Sequence, residues 1–125
     1  IFTGVPDLRK VFETAKIRRQ NGQGTLLFVD EIHRFNKAQQ DGFLPYMEDG
    51  TILLVGATTE NPSFELNAAL LSRAQVIVLE RLSPADLERL AQRAEQDLGR
   101  ALPLDGFARE TLIEMADGDG RTLLT

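Results

Sequence analysis

The sequence predicts an α/β fold, part of a parallel-sheet domain over residues 1–81, followed over residues 82–125 by the start of an all-helical domain. Two observations carry that reading. Short apolar runs, "TLLFVD", "TILLVGATT" and "AQVIVLE", alternate with stretches of helical pattern, a spacing that argues for parallel pairing. Beyond Leu82 the alternation stops, and apolar residues recur at helical spacing between capping signals.

Each element follows in order. Asp7 is placed to cap a first helix, in which Leu8, Val11, Phe12 and Ala15 share one face. The polar, glycine-bearing "RRQNGQG" ends it. "TLLFVD" is short, apolar and bounded by turn signals, which predicts a strand buried on both faces. "NKAQQDGFLPYMEDG" reads as helical with Asn36 as cap, weakened by Gly42 and Pro45 and ended at Gly50. "TILLVGATT" predicts a second buried strand, "ENPSF" a polar loop, "ELNAALLSR" a short helix and "AQVIVLE" a third strand. Ser83 then caps, Pro84 takes the first helical position, and Asp86 completes an acidic capping box. Leu87, Leu90, Ala91, Ala94 and Leu98 form one stripe that Gly99 stops. A further helix runs from about Phe107 to Ala116 and ends at Gly118, and "DGRTLLT" opens a third.

Composition narrows the function classes. The 125 residues suffice for one domain or for pieces of two. A hydrophobic content of 42% with 26% charged residues is ordinary for a soluble globular chain. Fourteen Lys and Arg against 19 Asp and Glu, a net charge of -5, argue against a compact basic nucleic-acid module. Arg9, Lys10, Lys16, Arg18 and Arg19 do cluster around the first helix, where a solvated face is the simpler reading. With no cysteine there is neither a disulfide framework nor a thiolate zinc site. No apolar run approaches the ~20 residues of a membrane span, and no stretch has a signal-peptide pattern. The chain begins at Ile1 and stops within "GRTLLT", and is read as a segment of a longer protein.

The stretch "TLLFVDEIHRF" carries the chemistry. It ends an apolar strand with two adjacent carboxylates, Asp30 and Glu31, at the carboxyl end where open parallel sheets bind ligands. Their mutual repulsion and partial desolvation cost free energy. A divalent cation on one relieves the conflict, leaving the other to activate a water, which is the division of labour in nucleotide hydrolysis. A solvated acidic strand end is the competing reading, and this stretch alone does not separate the two. Downstream, "GATTEN" brings Thr58, Thr59 and Asn61 to the same sheet edge. Arg73 precedes the third predicted strand, and Arg121 in "GDGR" opens a helix, where a cation opposes the helix dipole unless an anion is near. His33, two residues beyond Glu31, lacks the i, i+4 spacing of a helical zinc site and reads as a packing or polar-contact residue.

The run "LLFVDEIHRFNKAQQDGFLPYMEDGTILLVGATTENPSFELNAALLSR" closely resembles the AAA+ ATPases related to clamp loaders and the RuvB motor. It resembles most the replication-associated recombination protein A group, whose eukaryotic relatives are Werner-interacting ATPases. The resemblance is dense from Asp7 to Leu79 and looser from Leu87 to Ala116. It implies an AAA+ α/β ATPase core followed by a helical lid, with ATP and Mg²⁺ as cofactors. Asp30 then corresponds to the Walker B aspartate that holds Mg²⁺, through water, and Glu31 to the residue that polarises the hydrolytic water. Thr59 matches the sensor 1 position best, with Thr58 and Asn61 as neighbouring candidates. Arg73 resembles an arginine finger reaching the next subunit's nucleotide. Arg121 resembles the sensor 2 arginine, although the family more often reads G-D-A-R there.

The same resemblance implies a bacterial, cytoplasmic and nucleoid-associated ATPase in replication-fork maintenance, recombination and DNA repair. Its partners would be DNA ends, forks or gaps, single-stranded DNA-binding protein, replisome components and its own copies in a tetramer, with no membrane. No G-x-x-x-x-G-K-[ST] occurs in the chain, so the family's phosphate-binding loop is expected upstream of Ile1, and the chain alone is expected not to hydrolyse ATP. Two rivals stand beside this reading. "DEIH" also matches DEAH-type helicases, but "GATTENP" replaces their "SAT". A non-catalytic AAA+ scaffold subunit is the other, against which the joint presence of Asp30, Glu31, Thr59, Arg73 and Arg121 argues.

Overall fold

The computed structural model describes residues 5–125, with side chains from Leu8 onward. The chain divides into two units, one ending at Val76 and the other starting at Ile77, whereas the sequence pattern put the division at Arg81.

In the first unit, helix α1 (Val5–Gln20) buries Leu8, Phe12 and Ala15, the face that the helical spacing marks. The helix already includes Asp7 in its first turn, and that side chain lies outside the described residues. Strands β1 (Leu26–Val29) and β2 (Leu53–Gly56) pair in parallel, Leu26 opposite Leu53 and Val29 opposite Gly56. Side chains alternate across a strand, so Leu27 and Val29 face the core while Leu26 and Phe28, with Leu53 and Val55 beside them, lie exposed. The expectation of strands buried on both faces is therefore corrected, because the unit's hydrophobic cluster gathers on one face of the pair.

Between the strands the predicted helix is two. Helix α2 (Lys37–Asp41) starts from Asn36, whose side chain accepts from the amide of Gln39 while Gln39 returns the bond to the Asn36 amide. Helix α3 (Leu44–Glu48) follows Gly42, with Pro45 in its first turn, where a missing N–H costs nothing. Phe43 between them is fully buried, edge-on to both Phe12 and Phe35, and Tyr46 stacks on Phe12 at 4.1 Å. After β2, Asn61 caps a short helix α4 (Pro62–Glu65) where the sequence suggested a loop, and α5 (Ala68–Leu71) follows. The predicted third strand does not form. Gln75 to Glu80 have no ladder partner among the described residues, and Val78 and Leu79 are 80% and 89% exposed. Apolar, β-branched sequence is insufficient without a neighbour to take its backbone hydrogen bonds.

The second unit packs α6 (Pro84–Leu98), α7 (Gly106–Ala116) and α8 (Gly120–Leu124) around Leu87, Ala91, Ala116 and Leu123. The Ser83–Asp86 capping box forms as the sequence predicts, and Gly99 ends α6 at φ 66°. Leu98, expected in the buried stripe, is exposed at the helix end. Arg109 on α7 straddles two carboxylates of α6, its Nε 2.9 Å from Glu88 and its Nη1 2.8 Å from Glu95. The bonds donated by Arg109 hold both glutamates below their ordinary pKa of 4.5, and the two carboxylates in turn raise that of Arg109.

A carboxylate with a lowered folded-state pKa binds protons more readily when unfolded, so its stabilisation is complete above pH 4.5 and fades as pH falls below it. Amide-exchange protection of α6 and α7 is expected to drop through that acid range. Arg109→Met should lower protection at neutral pH and flatten this dependence, and an unaltered slope would show that the triad does not tie the helices.

Candidate functional site

The site is built on a defect in the parallel ladder. Leu53 to Gly56 run in register with Leu26 to Val29, and the amide of Ala57 extends the ladder by donating to the Val29 carbonyl at 2.9 Å. In an unbroken parallel pair the Ala57 carbonyl would next accept from residue 31. It accepts instead from the amide of Ile32, at 2.9 Å. One residue has been inserted, which makes a β-bulge at Asp30–Glu31. The displaced Glu31 sits in the left-handed region at φ 52°, ψ 45°, a conformation costing a non-glycine residue about 1–3 kcal/mol. Its freed amide donates to Oδ1 of Asp30 at 3.0 Å. The bulge turns Ile32 back over β2, where it is buried against Gly56. A Cβ added to Gly56 would come within 3.0 Å of Ile32 Cδ1.

A 3₁₀ turn over Ile32–Arg34 follows and brings two nitrogen side chains onto Glu31. Nε2 of His33 lies 3.4 Å from Glu31 Oε2, and Nε of Arg34 lies 3.6 Å from the same oxygen. The other ring nitrogen of His33 meets Thr58 Oγ1 at 2.7 Å. Thr58 Oγ1 also accepts from the amide of Glu60 at 3.0 Å. A line of polar contacts therefore runs from the end of β2 to the Glu31 carboxylate. The sequence reading of His33 as a polar-contact residue agrees with this, and the contact's partners lie just beyond the ends of the two strands.

The three sensor candidates are now distinct. Thr58 is engaged with His33, and Asn61 Oδ1 accepts from the Ser63 amide as the cap of α4. Thr59 is exposed, and its hydroxyl makes no hydrogen bond among the described residues. Asp30 is exposed too, with Oδ2 engaged by no side chain or amide among the described residues.

Arg73 is not brought to the carboxylate pair. Its Nε lies 2.6 Å from Glu48 Oε1, and Nη1 donates to the Ala69 carbonyl and Ser72 Oγ. The segment carrying it is anchored by a residue the sequence reading missed. Gln40 is 1% exposed, donates to the carbonyls of Phe35 and Glu65, and accepts from the Asn67 amide. Within the second unit, Arg121 lies in the first turn of α8, whose cap Asp119 accepts from the amides of Arg121 and Thr122. Those two amides hold the Asp119 carboxyl below its ordinary value. The anion that a cation at a helix start calls for is thus present in the chain. Of the basic cluster around α1, Arg19 reaches Thr51 and Asp49, and Lys16 Nζ lies 5.1 Å from the Tyr46 ring centre, while Arg9, Lys10 and Arg18 are exposed.

Comparison with known proteins gives four findings. The family described as "ATPase family associated with various cellular activities (AAA)" matches residues 3–82. Replication-associated recombination protein A of Escherichia coli K12 is 49% identical over 99% of this chain, which spans 29% of that relative's length. ATPase WRNIP1 of Dictyostelium discoideum is 48% identical over 98% of the chain, which spans 14% of it. Among solved structures, a RuvB variant from Thermotoga maritima superimposes with a TM-score of 0.67 at 26% identity, over 90% of this chain and 39% of that one.

The packing of Ile32 on Gly56 gives a direct test of the bulge. Gly56→Ala should lower stability to chemical denaturation by about 1–3 kcal/mol, the usual cost of overpacking. Unchanged stability would mean that Ile32 is not held against β2.

Proposed function

We propose a function from one premise, that the chain belongs to the ATPase family associated with various cellular activities (AAA): it supplies the water-activating half of an ATP-hydrolysing centre in a DNA-directed motor. The observation that carries the reading is the bulge, which ends a parallel strand with two carboxylates in different environments. Asp30 has an exposed oxygen left over after bonding the Glu31 amide, which suits Mg²⁺, a cation that takes one or two carboxylates and completes its shell with water and phosphate oxygens. No cluster of three acidic, histidine or cysteine side chains competes for a metal among the described residues. Bound there, Mg²⁺ would neutralise charge on the nucleotide phosphates.

In this reading Glu31 accepts a proton from the attacking water, with His33 and Arg34 beside its carboxylate. The exposed hydroxyl of Thr59 orients that water or a phosphate oxygen. Arg73 serves a neighbouring copy's nucleotide, exchanging Glu48 for phosphate oxygens, and Arg121 contacts nucleotide from the helical unit. The chain contains no G-x-x-x-x-G-K-[ST], and the phosphate-binding loop is assigned to the remainder of the protein.

The relatives' names support a role in replication and recombination. Beyond those names, the reading is of ATP-driven work on DNA ends, forks or gaps by a cytoplasmic, nucleoid-associated tetramer with single-stranded DNA-binding protein nearby. No described helix is long and apolar enough to cross a membrane.

The test uses the full-length protein. Glu31→Gln should bind Mg-ATP almost normally while turnover falls by orders of magnitude, since the shape survives and the base does not. Arg73→Ala should likewise bind nucleotide and lose about 10³–10⁵ in rate. Mixing the two variants should restore part of the activity, at interfaces pairing an intact Glu31 with an intact Arg73. Mixtures as inactive as their parents, with subunit exchange demonstrated, would remove Arg73 from the shared site.

A further inference from the structure

We propose that His33 is the positioning residue for Glu31, tying its carboxylate to the end of β2 through Thr58 so that base and strand end move as one. The inference rests on the reading of Glu31 as the base. It begins from hydrogen-bond direction. The Thr58 hydroxyl has one proton to give and already accepts from the Glu60 amide, and Nδ1 of His33 lies 2.7 Å away. With Nδ1 accepting that proton, a neutral imidazole carries its own on Nε2, the nitrogen that faces Glu31 Oε2 at 3.4 Å. In that tautomer the donors run in one direction, from the Glu60 amide to the Thr58 hydroxyl to His33 Nε2–H, which faces the Glu31 carboxylate at 3.4 Å, close enough for a small side-chain adjustment to complete the bond.

Burial separates this arrangement from an ordinary surface contact. The His33 side chain is 16% exposed and that of Glu31 is 31% exposed, whereas Arg34, which reaches the same oxygen, is 76% exposed. The arginine is a solvent-exposed partner worth little in geometry. The imidazole is mostly buried and held at its far side by Thr58. Glu31 itself is held at a strained backbone angle by the bulge, which sets where its side chain leaves the chain, and a side-chain partner is what sets the carboxylate's direction. Among the described residues of the first unit, the one other side chain that faces this carboxylate is the exposed Arg34. Partners that orient a reacting group from behind typically contribute about 10-fold to 100-fold.

The test is steady-state ATP hydrolysis by the full-length protein, with kcat and KM separated and thermal unfolding recorded for each variant. His33→Ala should lower kcat about 10-fold or more with KM for Mg-ATP within about twofold. Thr58→Val should do the same in part, and His33→Ala with Thr58→Val should be no slower than His33→Ala alone, because one chain has been cut twice. His33→Asn decides between positioning and mere structure. Its amide occupies the place of Nδ1, keeps the Thr58 bond and cannot reach Glu31, so it should unfold like wild type and remain as slow as His33→Ala. His33→Gln, whose longer amide reaches the carboxylate, should recover part of kcat. Wild-type turnover in His33→Asn, or multiplicative losses in the double variant, would overturn the proposal. Glu31→Gln runs alongside: if it is inactive while His33→Asn is normal, only His33 loses its role, and if it turns over normally the assignment of Glu31 as base fails as well.

Discussion

The hydrogen bond from the Ile32 amide to the Ala57 carbonyl is the constraint on which the rest of the site depends. Had the Glu31 amide made that bond, β1 would have continued straight and its two carboxylates would have pointed to opposite faces of the sheet. Skipping one residue forces Glu31 through the left-handed region and leaves its amide to Asp30. It also turns Ile32 inward and starts the 3₁₀ turn that carries His33 and Arg34 back onto Glu31. The strain of about 1–3 kcal/mol is offset by burial of Ile32, a side chain worth about 1.5–3 kcal/mol when removed from water. Gly56 permits that burial because it has no Cβ to collide with Ile32.

The environments of the two carboxylates differ accordingly. Asp30 is exposed and bonded through one oxygen to a backbone amide, which suits a cation-binding role. Glu31 is half-buried and faced by nitrogen side chains, which suits a group that must be aimed. Adjacent like charges are thus made tolerable by separate surroundings, and the conflict that remains is one that a divalent cation relieves. The helical unit solves its own charge problem differently. Arg109 unites two acidic side chains of α6, and Asp119 caps α8 beside Arg121.

What the sequence disclosed was whatever depended on neighbours in the chain. The Ser83–Asp86 box, the Asn36 cap, the buried face of α1 and the carboxylates after an apolar strand are all local patterns. What it hid depended on partners distant in sequence. The run from Gln75 to Glu80 has strand composition, but a strand exists only with a paired neighbour, and it has none among the described residues. Gln40 looks like a surface residue on a short helix until α4 and α5 close over it. Arg109 looks like a solvated helix residue until α6 lies beside it. The bulge has no glycine to announce it, since Glu31 occupies the left-handed position, and the His33–Thr58 bond requires the register of β1 against β2. The sequence therefore named candidate residues, while the geometry that joins Glu31, His33 and Thr58 was not legible in it.

Backbone amide exchange at the end of β1 tests this geometry most directly. The Ile32 amide should exchange slowly, to a degree comparable with the Ala57 amide that precedes it in the ladder, while the Glu31 amide, bonded only to an exposed side chain, should exchange fast. A slow Glu31 amide beside a fast Ile32 amide would mean an unbroken strand end, and the bulge that aims the carboxylates would not exist.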